Sequence, residues 1–204
     1  MSENTPRRAW QRMLSGRRLD LIDPSPLDVV IGDIAHGLAR VARWNGQTRG
    51  LEIFSVAQHS LLVEALFAAA EVSPRGQARL AALLHDAPEY VIGDMISPFK
   101  VAIGGDYKLI EARLKRAVLV RFGLPAEPQD DLDRRIKIAD RASAYLEATA
   151  LAGFSIAEAR KLFGELNLPI RDFAAYLEPT RPAAVEAQFL ARFTELDAQA
   201  GSTL

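Results

Sequence analysis

The chain contains no cysteine, and this absence restricts its chemistry more than any other feature of its composition. Disulfide bonds and thiolate metal sites are excluded, so a bound metal would need nitrogen and oxygen ligands. A large charge of one sign is also absent, because the 204 residues carry a formal net charge of −1. We therefore expect no nucleic-acid partner and no attraction to an anionic membrane.

Long apolar runs are absent as well. The best one, residues 61–72, contains Glu64 and Glu71 and is too short to span a bilayer. The first residues, MSENTPRRAWQRM, do not form the apolar core that a signal peptide needs. We expect a cytoplasmic protein without a membrane partner.

The chain is rich in signals for helix ends. Ser55 with Gln58, and Ser155 with Glu158, have the spacing of a capping box, which opens a helix. Ser73, which is followed by a proline, and Thr180 are predicted to cap two more helices. Apolar spacing predicts further helices over residues 28–42, 106–122 and 130–152.

The predicted fold class is all-α, a compact multi-helix bundle. A length of 204 residues suits one well-buried domain and is short for two. Residues 1–26 mix charge with proline and glycine and are predicted to form a short irregular extension, with one short strand in RRLDLID. Residues 27–199 are predicted to form the helical core.

Four metal-capable side chains interrupt apolar helical stretches. They are His59 in SVAQHS, His85 and Asp86 in LLHDAPEY, and Asp140 in IKIADRASAY. A buried imidazole or carboxylate without a partner is costly, so such groups are usually bonded. One divalent ion held by two imidazoles and two carboxylates would satisfy all four. This ligand set suits Mn²⁺, Co²⁺, Fe²⁺, Zn²⁺ or Mg²⁺ and leaves positions for water and substrate.

Each of these residues also has a simpler interpretation. His59 alone is typical of a hydrogen-bonded core histidine, and Asp140 could form a salt bridge with Arg134 or Lys137. Adjacent side chains such as those at 85 and 86 diverge by about 100° on a regular helix, so sharing an ion requires a distortion, which Pro88 permits. A metal is favoured because three separate helices would otherwise bury polar groups for unrelated reasons.

The order of these motifs, His, then His-Asp, then Asp on successive helices, resembles the HD-domain superfamily of metal-dependent phosphohydrolases. Within it, HDAPEYVIGD and the preceding ARW are similar to the HD-domain 5′-deoxyribonucleotidases of the YfbR type and to related viral deoxynucleotide phosphohydrolases. The resemblance covers residues 33–147. It implies the metal ligands His59, His85, Asp86 and Asp140.

The resemblance also implies roles for four further residues. Glu89, one helical turn beyond Asp86, would orient or deprotonate the attacking water, and Asp94 would assist proton transfer. Arg43 would hold the substrate phosphate, and Trp44 would pack near the sugar or base. The implied reaction is hydrolysis of a nucleotide phosphate ester, with a deoxyribonucleoside 5′-monophosphate as the small-molecule substrate. Homodimerisation is left open.

Structural roles remain for several of these residues. Glu89 could be a surface carboxylate beside a kink, Arg43 could interact with a helix dipole, and Trp44 could belong to the core. His36 is expected to form a local hydrogen bond with Asp33, one helical turn away. The segment before Asp33 and the loop 45–54 have no counterpart in the smallest deoxyribonucleotidases and would shape the pocket.

Three other functions are compatible with the same motifs. KIADR around Asp140 resembles a segment of (p)ppGpp pyrophosphohydrolases, although those enzymes usually carry Glu-Asp where this chain has Glu89-Tyr90. A deoxynucleoside triphosphohydrolase is the second alternative. The third is an HD-like regulatory module that binds nucleotides without turnover, which the complete ligand set disfavours.

Overall fold

The computed structural model describes residues 9–73, 75–96, 99–100, 105–127, 129–164 and 173–201, and most of them are helical. The predicted all-α class is confirmed. The strands are β1 (Trp10–Arg12) and β2 (Arg18–Asp20). The helices are α1 (Ile31–Leu38), α2 (Val56–Ala70), α3 (Gly76–Leu83), α4 (Glu89–Ile92), α5 (Gly105–Arg121), α6 (Asp130–Ala150), α7 (Ile156–Phe163) and α8 (Pro182–Gly201). Short 3₁₀ turns occupy Pro26–Asp28, Arg43–Gly46 and Ala174–Leu177.

The two strands form an antiparallel hairpin in which Trp10 lies opposite Asp20. The strand predicted in RRLDLID is therefore present and has a partner. Ser15 in the hairpin turn donates to Asp33 of α1 through its amide, at 2.9 Å, and its hydroxyl, at 2.5 Å. Leu19 is fully buried in the main core. These contacts fix the hairpin to the helical bundle.

Helix α2 is the centre of the bundle and packs against α3, α6 and α8. Buried residues lie all around it, as expected for a helix surrounded by others. The largest fully buried side chains of the core include Ile34, Leu38, Leu62, Leu66, Phe67, Leu80, Leu83 and Phe189. No helix in the described part of the chain is long and apolar enough to cross a membrane.

Both predicted capping boxes are confirmed. Ser55 accepts from the Gln58 amide at 3.3 Å, and Ser155 accepts from the Glu158 amide at the same distance. In each pair the backbone amide of the serine donates a hydrogen bond to the side chain of the second residue. These bonds fix the first turns of α2 and α7.

The predicted N-cap of α3 is wrong. The helix begins at Gly76 and its N-cap is Arg75, not Ser73, whereas the proline at 74 lies outside the described residues. A Cβ atom at Gly76 would lie 2.8 Å from the Ala200 amide nitrogen. Glycine at 76 therefore allows the start of α3 to pack closely against the end of α8.

Thr180 does not cap α8 with its side chain, contrary to the prediction. The helix begins at Pro182, where proline is well tolerated, and the Thr180 hydroxyl donates to the Glu178 carbonyl at 2.9 Å. Gln58 of α2 accepts from the Thr180 amide at 3.3 Å and donates to the Glu178 carbonyl at 2.7 Å. These bonds to α2 fix the turn before α8.

The chain turns sharply between α3 and α4, as the proline at 88 predicts. Helix α3 ends at Leu83, and α4 ends at Ile92, followed by Gly93, whose φ is 75°. A Cβ atom at Gly37 of α1 would lie 2.8 Å from the Cβ atom of Tyr90. Glycine at 37 thus allows α1 to approach α4 closely and to position the residues that α4 carries.

Candidate metal centre

Three separate elements contribute to one buried cluster of histidine and aspartate. His59 comes from α2, Asp140 from α6, and His85 and Asp86 from the turn after α3. Single ligand-capable atoms of His59, His85 and Asp140 lie within 4.8 Å of one another, so this group could hold a metal ion. Because α3 has already ended, Asp86 faces the same cluster, with Oδ2 3.2 Å from His85 Nε2.

Both imidazoles are oriented by a bond at Nδ1. His85 Nδ1 lies 2.9 Å from the Ala82 carbonyl oxygen, which can only accept, so this nitrogen carries the proton. His59 Nδ1 lies 2.6 Å from Glu147 Oε1, to which it donates. In each neutral ring the lone pair is then on Nε2, which faces the cluster. This is the tautomer that metal binding through Nε2 requires.

The two Nε2 atoms are buried, and neither has a hydrogen-bond partner among the described residues. His59 Nε2 lies 3.3 Å from Asp86 Oδ2 and 3.4 Å from Asp140 Oδ1, without hydrogen-bond geometry. Two ligand atoms bound to one ion at about 2.0–2.2 Å would be about 2.8–3.6 Å apart. The observed separations fall in this range. The residues therefore fit a divalent cation.

Asp140 uses its two oxygens for different contacts. Oδ1 faces His59, whereas Oδ2 lies 2.6 Å from Lys137 Nζ. The salt bridge with Lys137 is therefore present together with the candidate ligand contact. The other proposed partner, Arg134, pairs with Asp131 instead, at 3.3 Å. The two interpretations of Asp140 are compatible.

The electrostatics of the cluster favour a positive charge at its centre. Burial would raise the pKa of Asp86, yet His85 and His59 hold it well below its usual range. Despite its own burial, Asp140 also has a pKa below the usual range because of His59. Burial opposes protonation of His59, yet the surrounding carboxylates, Glu147 foremost, hold its pKa well above the usual range. Ionised carboxylates around two imidazoles attract a cation.

Glu89 lies beside this cluster at the start of α4. It is buried, and its Oε2 atom lacks a hydrogen-bond partner in the described part of the structure. Its Oε1 atom lies 3.7 Å from Lys100 Nζ. Burial, followed by the charges of Asp86 and Asp94, raises the pKa of Glu89 to about 9. A perturbed carboxyl group in such a position is typical of acid–base sites.

Arg43 and Asp94 form a nearly buried ion pair next to the cluster. Arg43 Nη1 donates to Asp94 Oδ2 at 3.0 Å, and the Arg43 side chain is only 14% exposed. Its Nε atom lies 3.5 Å from Glu147 Oε2. Burial would lower the pKa of Arg43, but Glu147 and Asp94 raise it, so the guanidinium stays charged. The structure thus brings a permanent cation to the site.

Trp44 lies in the Arg43–Gly46 turn and has an uncommon backbone conformation, with φ 56° and ψ 28°. Its indole Nε1 donates to Glu147 Oε2 at 2.9 Å. Its ring packs against Phe154 and Phe163, with centroid separations of 5.6 and 5.9 Å. The structure therefore gives Trp44 packing contacts as well as a position near the cluster.

The chain is similar over nearly its whole length to a known protein. Over 187 residues, the chain is 59% identical to a protein of Rhodobacter capsulatus that is named only as uncharacterized. The match covers 91% of this chain and 94% of that protein. The chain belongs to the same family as that protein. No family model matches the chain.

The sequence did not identify Glu147 as a site residue. It is fully buried, and Ser143 donates to its Oε1 atom at 2.6 Å. Burial would raise the pKa of Glu147, but His59 and Arg43 lower it to about 2. Its position seven residues after Asp140 places both on one face of α6, which was the available signal.

The expected bond between His36 and Asp33 does not form. Asp33 accepts hydrogen bonds from Ser15 of the hairpin, whereas His36 Nδ1 lies 3.3 Å from Glu186 Oε2 of α8. Arg40 donates to the same glutamate oxygen at 2.7 Å. His36 therefore helps to join α1 to α8, and these contacts explain it without the metal centre.

Proposed function

We propose that this protein is a metal-dependent phosphohydrolase that cleaves a nucleotide phosphate ester, with a deoxyribonucleoside 5′-monophosphate as substrate. One observation carries the proposal. The Nε2 atoms of His59 and His85 are buried, have no hydrogen bond to any described residue, and face the carboxylates of Asp86 and Asp140. The resemblance of these motifs to the HD-domain phosphohydrolases supports the class of reaction.

His59, His85, Asp86 and Asp140 would together hold one divalent ion, with Mn²⁺, Co²⁺, Fe²⁺, Zn²⁺ and Mg²⁺ as candidates. The absence of cysteine is consistent with this choice of nitrogen and oxygen ligands. When bound, such an ion polarises a phosphoryl oxygen and lowers the pKa of a coordinated water.

Glu89 would take up the proton of the attacking water and return it to the leaving sugar oxygen. Its burial supports this role, as does its Oε2 atom, which has no hydrogen-bond partner within the described segments. The pKa of Glu89, about 9, lies above neutral pH, and the positive charge of a bound divalent ion would lower it into the range in which a group both accepts and donates a proton. Asp94 would assist by holding Arg43 and by stabilising the protonated state of Glu89 through its negative charge.

Arg43 would bind the substrate phosphate. A guanidinium that is nearly buried and held by two carboxylates offers its remaining donors in a fixed direction. Trp44, the next residue, would limit the space available to the sugar. The choice of a deoxyribose sugar rests on the resemblance of this Arg-Trp pair to the deoxyribonucleotidases.

The test is a turnover assay on protein that has been stripped of metal and then loaded with Mn²⁺ or Co²⁺. Substrates are dNMP, NMP, dNTP and (p)ppGpp, and the released phosphate, pyrophosphate and triphosphate are measured separately. We expect metal-dependent phosphate release from dNMP. Asp140→Ala should abolish it, whereas Asp131→Ala, an exposed aspartate on the same helix, should retain it.

Other outcomes would replace the proposal by a named alternative. Triphosphate release from dNTP would indicate a triphosphohydrolase, and pyrophosphate release from (p)ppGpp would indicate the corresponding pyrophosphohydrolase. Nucleotide binding without turnover by the metal-loaded protein would indicate a regulatory module.

A further inference from the structure

Glu147 connects the candidate metal centre to the turn that carries Arg43 and Trp44. Its Oε1 atom receives hydrogen bonds from His59 Nδ1 and Ser143 Oγ, both at 2.6 Å. Its Oε2 atom accepts a hydrogen bond from the Trp44 indole nitrogen at 2.9 Å and lies 3.5 Å from Arg43 Nε. One buried carboxylate thus touches both halves of the site.

The turn that receives this contact is strained. Trp44 and Asn45 have φ values of 56° and 51°, in the left-handed region. Asparagine adopts this region readily, but a bulky aromatic residue rarely does. Such conformations persist where the surrounding structure holds them. Here Glu147 holds the indole nitrogen, while Phe154 and Phe163 pack against the ring.

We propose that Glu147 is a positioning residue that couples metal binding at His59 to the conformation of the Arg43–Gly46 turn. The proposal rests on the metal-dependent function proposed above. A carboxylate group is rigid, so its two oxygens move together. Fixing the His59 ring therefore fixes the acceptor that holds Trp44, and ordering the turn in the same way favours the metal-binding orientation of His59.

Two substitutions separate this coupling from simple packing. In Glu147→Gln the amide oxygen can still accept from His59, but the amide nitrogen then faces the Trp44 indole donor. In Trp44→Phe the aromatic packing is kept and the indole donor is lost. Loss of a carboxylate that orients a metal ligand should weaken metal binding by about 10–100-fold. Loss of the single indole hydrogen bond should weaken it by about 3–10-fold.

The experiment is a Zn²⁺ titration followed by calorimetry and by tryptophan fluorescence. The chain has two tryptophans, so the Trp10→Phe background, altered only in the hairpin, reports on Trp44 alone. We expect Zn²⁺ to change the Trp44 emission in that background. Adding Glu147→Gln should remove this change and weaken Zn²⁺ binding. Far-UV circular dichroism checks that each variant is folded.

Phe154→Leu is the matched control, because it disturbs the packing of Trp44 without touching its hydrogen bond to Glu147. Its Zn²⁺ affinity should stay within about twofold of the wild-type value, as expected for a site without a shared polar contact. An equal loss of affinity in Phe154→Leu and Trp44→Phe would show that packing, and not the hydrogen bond, is responsible, and would overturn the proposal.

Two further results distinguish the possible failures. Unchanged Zn²⁺ affinity in Glu147→Gln and Trp44→Phe, with the emission change retained in Glu147→Gln, would overturn the coupling and leave the metal centre intact. Absence of divalent-metal binding by the wild-type chain would overturn the metal centre, and the coupling with it.

Discussion

Helix α2 carries two buried ionisable side chains, and their surroundings differ. Glu64 receives three hydrogen bonds, from Arg79 Nε at 2.7 Å and from Arg192 Nε and Nη2 at 2.8 and 3.1 Å. His59, five residues earlier, has a hydrogen bond at Nδ1, while its Nε2 atom has none within the described chain.

The difference lies in whether donors and acceptors match. The partners of Glu64 are cations from α3 and α8, so the cluster is neutralised and ties three helices together. His59 Nε2 instead faces Asp86 and Asp140, and of these two carboxylates only Asp140 pairs with a lysine, Lys137, in the described part of the chain. Burial alone is therefore no sign of a functional site. A buried cluster with more hydrogen-bond acceptors than donors does indicate a functional site, because a bound cation would satisfy the surplus acceptors.

The largest effect is expected at the cluster of His59, His85, Asp86 and Asp140, which we call the open cluster. Asp86→Ala should abolish metal-dependent turnover, since it removes the carboxylate that lies near both imidazoles. Turnover of dNMP with saturating Mn²⁺ measures the loss. Activity close to that of the wild-type protein would show that Asp86 has no part in the reaction.

Glu89 should affect catalysis without affecting the metal. Glu89→Gln is expected to lower kcat by about 10²–10⁴-fold, the usual range for a positioned acid or base, with the metal retained. The matched control is Glu111→Gln, because Glu111 also pairs with Lys100, at 3.0 Å, but is more exposed. Equal kcat values for the two variants would show that Glu89 has a structural role and no catalytic one.

The cluster of Glu64, Arg79 and Arg192, which we call the closed cluster, should affect stability without affecting function. Glu64→Ala should lower the free energy of unfolding by about 2–4 kcal/mol, somewhat below the usual cost of breaking a buried pair because both arginines are partly exposed. Glu71→Ala, at a more exposed ion pair with Arg135, should cost under about 1 kcal/mol. Urea unfolding measures both. Loss of metal in Glu64→Ala would contradict the distinction between the clusters.

The smallest of these effects concerns the substrate. Trp44→Ala should reduce the discrimination between deoxyribo- and ribonucleotides by about 1–3 kcal/mol if the indole limits the space for the sugar. Arg43→Ala should instead raise KM for all phosphorylated substrates alike. The ratio of kcat/KM for paired dNMP and NMP substrates checks both. If neither substitution changes these values, specificity resides elsewhere, with the N-terminal segment as the next region to test.

Local features were predictable from the sequence because they depend on neighbouring residues. Both capping boxes and the break near Pro88 are of this kind. The four candidate ligands were also visible, as polar residues in apolar helices, and the structure brings them together. Helix spacing sufficed to show that His59 and Asp140 face the core.

Features that depend on distant partners were not predictable. The arginine that completes the Glu64 cluster lies 128 residues along the chain, and Trp44 lies 103 residues from Glu147. His36 was assigned to its helical neighbour because the hairpin that occupies Asp33 could not be foreseen. The cap predicted at Ser73 was wrong, since α3 begins at Gly76, where it packs against the distant end of α8.

The most direct test of the difference between the open and the closed cluster is the metal content of purified protein after exhaustive dialysis, measured by elemental analysis. The wild-type chain and Glu64→Ala should each retain about one divalent ion per chain, whereas Asp86→Ala should retain almost none. A wild-type chain without metal after loading with each candidate ion would contradict the assignment of the open cluster. So would full occupancy in Asp86→Ala.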